Sequence, residues 1–115
     1  MTPRARFEAF RDRVDRAATL DERAFRALRA ELAAERDAWL VRSCVVYLAR
    51  QDRELATDAQ LAELARSFGG KVATFIRGIL IARRIRRDPT DAAARRDADA
   101  YGHAWLPARV APRSG

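Results

Sequence analysis

The chain has 115 residues, of which 49% are hydrophobic and 34% are charged, a composition typical of one soluble globular domain. Its net charge of +7 favours an anionic partner, such as nucleic acid, an acidic protein or a lipid surface. A single cysteine excludes a disulfide within the chain, and the longest apolar stretches fall short of the roughly 20 residues that a membrane span needs. The lone cysteine makes a reducing cytoplasm the expected location, and the N-terminus lacks the apolar core of a signal peptide.

The first predicted helix begins at Thr2 and Pro3, where a hydroxyl can cap the helix and a proline suits its first position. Phe7, Phe10 and Val14 follow at intervals of three and four, which predicts one apolar stripe. This helix is expected to end near position 18.

The sequence "TLDE" at 19–22 predicts a capping box, in which Thr19 and Glu22 satisfy each other's backbone amides. No glycine or proline occurs between positions 19 and 57, so one long helix over about 20–53 is possible. A break in "AERDA" at 34–38, where the apolar stripe thins, is the alternative. Trp39 and Tyr47 lie amid aliphatic residues and are predicted to be core or interface residues instead of base-stacking platforms.

A second capping box, "TDAQ" at 57–60, begins a helix that Gly69 and Gly70 terminate. Another helix follows over 71–87. The pair 58–68 and 71–87 has the layout of a helix-turn-helix, an element that places its second helix in the major groove of DNA. The second helix is more apolar than a base-reading helix, so an ordinary helical hairpin is the alternative.

The predicted helix 71–87 is apolar on two sides, which is typical of a helix buried between other elements. Its narrower stripe contains Gly78, Ile81 and Ile85. The glycine suits close contact with another helix, either from the same chain or from a second copy. We therefore expect a homo-oligomer.

The C-terminal half of this helix carries a dense group of cations, with four arginines within five residues. One or two would be enough to complement the negative end of the helix, and four repel one another unless an anion neutralises them. We predict phosphate contacts here, with a plain solvated helix end as the alternative. The predicted nucleic-acid-binding residues are Lys71, Arg77, Arg83, Arg84, Arg86 and Arg87.

The composition changes after Pro89, which divides the chain into a helical domain, 1–88, and a region 89–115 with a short helix and a flexible, extended tail. The short helix is predicted to begin at Thr90 and end at Gly102. Within the tail, "AWLPARV" at 104–110 is an apolar island that either docks back on the bundle or binds a protein partner. Its predicted partner-binding residues are Trp105, Leu106 and Val110.

No catalytic arrangement is visible in the sequence. His103 is the only histidine and Cys44 the only cysteine, so neither a histidine-based triad nor zinc-ligand spacing is present. The "GGK" at 69–71 lacks the upstream strand and glycine of a phosphate-binding loop. We predict no enzymatic activity, no cofactor and no metal site.

Together these features predict an all-α bundle of four to five helices with a helix-turn-helix-like pair and an extended C-terminal tail. The predicted function is nucleic-acid binding through the arginine cluster, with DNA favoured over RNA, as a regulatory or accessory subunit of a nucleic-acid-handling assembly. The alternative is a non-enzymatic protein–protein adaptor or structural subunit. A helix lying on a membrane surface is the third hypothesis, and no membrane partner is predicted.

Overall fold

A computed structural model of the chain describes residues 1–102, and this range holds six α-helices and no strand. The helices are α1 (Pro3–Arg16), α2 (Glu22–Ala34), α3 (Ala38–Ala49), α4 (Asp58–Phe68), α5 (Gly70–Arg87) and α6 (Ala92–Tyr101). The all-α prediction is confirmed, although six helices exceed the four to five expected. None of the six is both long and apolar enough to cross a membrane. The predicted tail and its residues Trp105, Leu106 and Val110 lie outside the described residues.

The start of α2 differs from the prediction. Asp21, not Thr19, caps the helix, and its carboxylate accepts a hydrogen bond from the Ala24 amide at 2.7 Å. The preceding Leu20 packs against the core in a non-helical conformation, and its carbonyl accepts a hydrogen bond at 3.2 Å from the side-chain amide of Gln60. This long-range contact holds residue 20 outside the helix. The start of α6 is corrected in the same way, since Asp91 caps it instead of Thr90.

The possible long helix over 20–53 is divided at residues 35–37, as the alternative prediction allowed. Glu35 has extended backbone angles, and its carboxylate accepts hydrogen bonds from the amides of Arg36 and Asp37. Asp37 then caps α3 by accepting from the Leu40 amide at 3.0 Å. Two side-chain carboxylates thus replace the backbone acceptors that a continuous helix would supply.

The predicted boundary signals around α4 are confirmed. The backbone amide of Gln60 donates to the Thr57 hydroxyl at 3.1 Å. The backbone amide of Thr57 donates to the side-chain carbonyl of Gln60 at 2.9 Å, which completes the capping box. Gly69 and Gly70, with φ of 59° and 52°, adopt the left-handed region that favours glycine and separate α4 from α5.

The core has a main cluster and a smaller one. The main cluster draws buried side chains from α1 to α5, with Phe25, Leu48 and Leu61 completely buried. The smaller cluster joins Ile81 and Ile85 of α5 to two alanines of α6. The second apolar stripe of α5 is therefore covered by a helix of the same chain, not left open for a second copy.

Gly78 allows this close approach between α5 and α6. The ring of Tyr101 lies against the glycine, and its hydroxyl donates a hydrogen bond to the carbonyl of Thr74. A Cβ atom at position 78 would lie 2.7 Å from the tyrosine oxygen. The glycine thus provides the space into which the end of α6 fits.

Packing on several sides makes α5 the central helix of the bundle. It contacts α3, α4 and α6, and eight of its 18 residues are buried. A groove-reading helix needs a continuous exposed side that carries polar side chains. The α4–α5 hairpin is present, but because so much of α5 is buried, the structure does not confirm the pair as a helix-turn-helix that reads DNA.

Candidate functional site

The predicted arginine cluster begins with a buried residue. Only 1% of Arg83 is exposed. Its Nη1 donates hydrogen bonds to the Ala56 carbonyl at 2.7 Å and to Asp58 Oδ1 at 3.0 Å, while its Nε lies 3.5 Å from Glu54 Oε1. The guanidinium therefore joins α5 to the segment that precedes α4 and to the first turn of α4.

Arg87 contacts the same two carboxylates one helical turn later. Its Nη1 and Nη2 donate to the two oxygens of Asp58 at 2.6 and 3.0 Å, and Nη2 also donates to Glu54. We call this arrangement of Arg83, Arg87, Glu54 and Asp58 the arginine clamp. Glu54, which contacts both clamp arginines, has a φ of 50°, an uncommon value outside glycine.

The electrostatics of the clamp favour its charged form. Hydrogen bonding from Arg87 lowers the pKa of Asp58, against an opposing effect of burial, and the Arg83 hydrogen bond lowers it further. The same Asp58 hydrogen bond, followed by that of Glu54, raises the pKa of Arg87. Arg83 Nη2 is buried and has no hydrogen-bond partner among residues 1–102, so the clamp leaves one polar group unsatisfied.

The other predicted phosphate contacts fall into two groups. Arg84 forms ion pairs with Asp97 of α6 at 2.7 Å and with Asp91, the α6 cap, at 3.8 Å. Like the clamp arginines, it is paired within the chain. The remaining cations, Lys71, Arg77 and Arg86, are exposed, and no carboxylate of the described residues lies within 4 Å of them. The six residues thus do not form one uniform cationic patch.

A second exposed surface, on α3, was not predicted. Four residues of α3 and its C-cap residue recur at helical intervals of three and four along one side of the helix. We call this surface the α3 face, and it consists of Trp39, Arg42, Ser43, Val46 and Arg50. Trp39 is 43% exposed, so of its two predicted roles, core or interface, the core role is wrong. Both arginines are exposed, and α3 itself contains no acidic residue.

Aromatic contacts hold the Trp39 side chain of the α3 face in position. The Phe7 ring of α1 packs edge-to-face against Trp39, with centroids 5.8 Å apart, and against Tyr47, with centroids 6.1 Å apart. The Arg11 guanidinium lies 5.9 Å from the Phe7 centroid, and the Tyr47 hydroxyl donates to the Asp15 carboxylate. These contacts fix the rings while much of Trp39 stays accessible to solvent.

Carboxylates close to the start of α3 are engaged by other donors. Glu35 accepts a hydrogen bond from Arg6 at 2.7 Å as well as from two backbone amides, and Asp37 is the helix cap. Across the part of the chain that the structure describes, the guanidinium groups of Arg36, Arg42 and Arg50 have no carboxylate within 4 Å. The α3 face therefore presents cations that are not held by ion pairs.

Two open grooves accompany these surfaces. One, of about 510 Å³, lies along the α3 face and is lined by Phe7, Ser43, Val46, Tyr47, Arg50 and Gln51. The other, of about 670 Å³, has α5 as its floor and α4 and α6 as its walls. Its lining combines Ala59, Ala62, Leu80, Ile81, Ala100 and Tyr101 with Asp58, Arg77, Arg84 and Asp97.

Residues 1–102 contain no group of histidine, cysteine and acidic side chains that could hold a metal ion. Burial raises the pKa of the Cys44 thiol to about 12, so this buried side chain is not an activated nucleophile. Comparisons with protein-family models, curated proteins and solved structures find no match for the chain.

Proposed function

We propose that the chain is a small, non-enzymatic nucleic-acid-binding protein, an accessory subunit that contacts phosphates through exposed cations. The observation that carries the proposal is the exposure of cationic side chains without an intramolecular carboxylate within salt-bridge distance, in the part of the chain that the structure describes. On α5 these are Lys71, Arg77 and Arg86. On and beside the α3 face they are Arg36, Arg42 and Arg50.

The mechanism is neutralisation of phosphate charge with release of condensed counterions. Each phosphate contact makes the logarithm of the binding constant fall with the logarithm of salt concentration, by about 0.9 for duplex DNA and about 0.7 for a single strand. A chain of net charge +7 has a surplus of cations for such contacts. DNA remains the favoured polymer over RNA.

The clamp changes which of the predicted residues serve this function. Arg83 is buried and contacts two carboxylates, so it is excluded from the proposed phosphate contacts. The side chains of Arg84 and Arg87 are 38% and 49% exposed, but each would have to leave a carboxylate before it met a phosphate. The proposed contacts on α5 are therefore the three residues without such partners.

A salt titration tests the proposal. Fluorescence anisotropy with labelled mixed-sequence duplex and single strands, over about 50 to 200 mM salt, is expected to show binding that weakens steeply as salt rises. The triple variant Lys71→Ala/Arg77→Ala/Arg86→Ala is expected to bind more weakly and with a shallower slope.

The matched control removes the same number of charges from ion-paired arginines. The control variant is Arg4→Ala/Arg13→Ala/Arg26→Ala, because each of these three arginines forms a salt bridge to a glutamate in the wild-type chain. This control is expected to retain more of the salt slope than the test variant. Absence of binding to both polymers at about 50 mM salt would contradict the proposed function.

The second candidate function is a protein–protein adaptor, which the groove between α4 and α6 favours. Its walls carry Ala59, Ala62 and Ala100, and such small side chains allow another helix to approach closely. A second copy would be the simplest partner, at this groove and not at the Gly78 stripe of α5, which α6 covers. Sedimentation velocity would then give a concentration-dependent mass that Ala62→Glu abolishes and that Ala93→Glu, on the exposed side of α6, retains.

A further inference from the structure

We infer that the α3 face binds single-stranded nucleic acid, with one base stacked on Trp39 and phosphates held by Arg42 and Arg50. This inference rests on the proposed function and names the form of nucleic acid that this surface accepts. It is carried by the combination of an accessible, positioned aromatic ring with two exposed arginines, one on α3, a helix that has no carboxylate, and one at its C-cap.

Trp39 has the properties of a stacking platform. With an exposed fraction of 43%, its indole stays accessible although it packs against another ring. Phe7 contacts it edge-to-face, and Phe7 is in turn fixed by Tyr47, whose hydroxyl is bound to Asp15. Because these contacts already restrict the indole, stacking a base on it costs little additional conformational entropy.

The arginines lie where the backbone of such a strand could run. Arg50 follows Arg42 by eight positions, which corresponds to about 12 Å along an α-helix. This distance exceeds the 3.4 Å axial spacing of phosphates in one strand of a duplex. The two guanidinium groups would therefore contact phosphates on either side of intervening nucleotides, whose bases could lie in the groove beside Ser43 and Val46.

A single strand fits this surface better than a duplex for two reasons. Bases within a duplex are stacked on each other, so an indole can stack only on a base that is already exposed. Reading a duplex in the major groove requires several polar side chains on the inserted helix. The α3 face offers Ser43 and two arginines beside the apolar Trp39 and Val46, which suits stacking and charge contacts instead of base-edge recognition.

The experiment compares two ligands of equal length, a fluorescein-labelled deoxythymidine oligomer of about 12 nucleotides and a mixed-sequence duplex. Trp39→Ala is expected to weaken binding of the single strand by about 5- to 150-fold, the loss of one stacked base, with an unchanged salt slope. Duplex binding is expected to change less than about twofold. Arg42→Ala is expected to reduce the single-strand salt slope by about 0.7.

The conservative variant Trp39→Phe separates stacking from folding. It keeps an aromatic ring beside Phe7, so it is expected to recover most of the single-strand affinity that Trp39→Ala loses. If Trp39→Ala unfolds, Trp39→Leu provides the comparison, since it keeps an apolar contact with Phe7 and removes the stacking ring. Thermal unfolding of each variant verifies that the binding measurements are made on folded protein.

The outcomes distinguish this inference from the proposed function. If the wild-type chain binds neither ligand at low salt, the proposed function itself fails. If it binds both and the single-strand affinity of the leucine or alanine variant equals that of wild type, the function stands and the stacking site is overturned. Equal losses for duplex and single strand would also overturn it. A concentration-dependent mass that Trp39→Ala abolishes, with unchanged single-strand binding, would assign the face to a second copy instead.

Discussion

The C-terminal end of α5 and the α3 face are both rich in arginine, but the fold uses the arginines differently. At the end of α5, Arg83 and Arg87 contact Glu54 and Asp58, and one of the two guanidinium groups is buried. On the α3 face, exposed arginines have no such partner within the described residues. The local density of arginine therefore does not determine how many guanidinium groups are available to an external anion.

The difference depends on where the chain returns carboxylates to each surface. The segment between α3 and α4 brings Glu54 to the end of α5, and Asp58 follows in the first turn of α4, where the positive end of the helix also favours a carboxylate. Arg53, in the same segment, donates to the Val14 carbonyl near the end of α1. The clamp therefore joins the end of α5 to α4 and to the segment before it, and Arg53 joins that segment to α1.

The largest expected effect is on stability, from removal of the buried arginine. Arg83→Ala is expected to lower the free energy of unfolding by about 3 kcal/mol, because it removes two ion pairs and the donor to the Ala56 carbonyl and leaves a cavity. Urea unfolding measures this loss. Arg86→Ala, an exposed arginine three residues later, is the control and is expected to change the free energy by less than about 0.5 kcal/mol. Equal stability of the two variants would contradict the structural role of the clamp.

A somewhat smaller effect is expected at the contact between α5 and α6. Gly78→Ala would place a methyl group 2.7 Å from the Tyr101 hydroxyl and is expected to lower the free energy of unfolding by about 1–3 kcal/mol through overpacking. In the background of Tyr101→Ala, which removes the clashing ring, Gly78→Ala is expected to cost much less. A double-mutant cycle from thermal or urea unfolding measures this coupling. Simple additivity of the two changes would mean that α6 does not pack on Gly78 in solution.

The clamp also predicts a dependence of stability on pH. The pKa of Asp58 is lowered in the folded chain, so its contribution to stability is complete above the unfolded value of about 3.9 and is lost as the pH falls through the lower folded value. Urea midpoints measured from pH 7 to pH 2 follow this loss. Asp58→Asn is expected to be less stable at pH 7 and to show a weaker fall in acid. Identical pH profiles for the variant and wild type would contradict the coupling of Asp58 to the clamp arginines.

Local signals in the sequence were sufficient for much of the fold. The Thr57–Gln60 capping box and the glycine pair at 69–70 act through neighbouring backbone groups, so their spacing alone located the boundaries of α4. The beginning of α2 was predicted wrongly because Thr19 and Asp21 are both good capping residues. The choice between them depends on the contact of Gln60 with the Leu20 carbonyl, 40 residues away.

The pairing and exposure of the candidate site residues were harder to predict from the sequence. The arginines of α5 have no acidic neighbour before Asp88, which favoured an external anion, but Asp58 precedes Arg83 by 25 residues and Glu54 precedes Arg87 by 33. Only the folded chain brings these groups together. On α3, the apolar surroundings of Trp39 suggested burial. The spacing of Trp39, Arg42 and Arg50 by three and eight residues was the available signal for a shared exposed side.

The salt dependence of single-strand binding in two double variants decides which arginines contact phosphates. Arg42→Ala/Arg50→Ala is expected to reduce the slope by about 1.4, two phosphate contacts, with little change in thermal stability. Arg84→Ala/Arg87→Ala is expected to unfold at a lower temperature and keep the wild-type slope, because both residues are engaged by carboxylates. The reverse result, a wild-type slope without the α3 arginines and a reduced slope without Arg84 and Arg87, would place the phosphate contacts at the end of α5 and contradict the account.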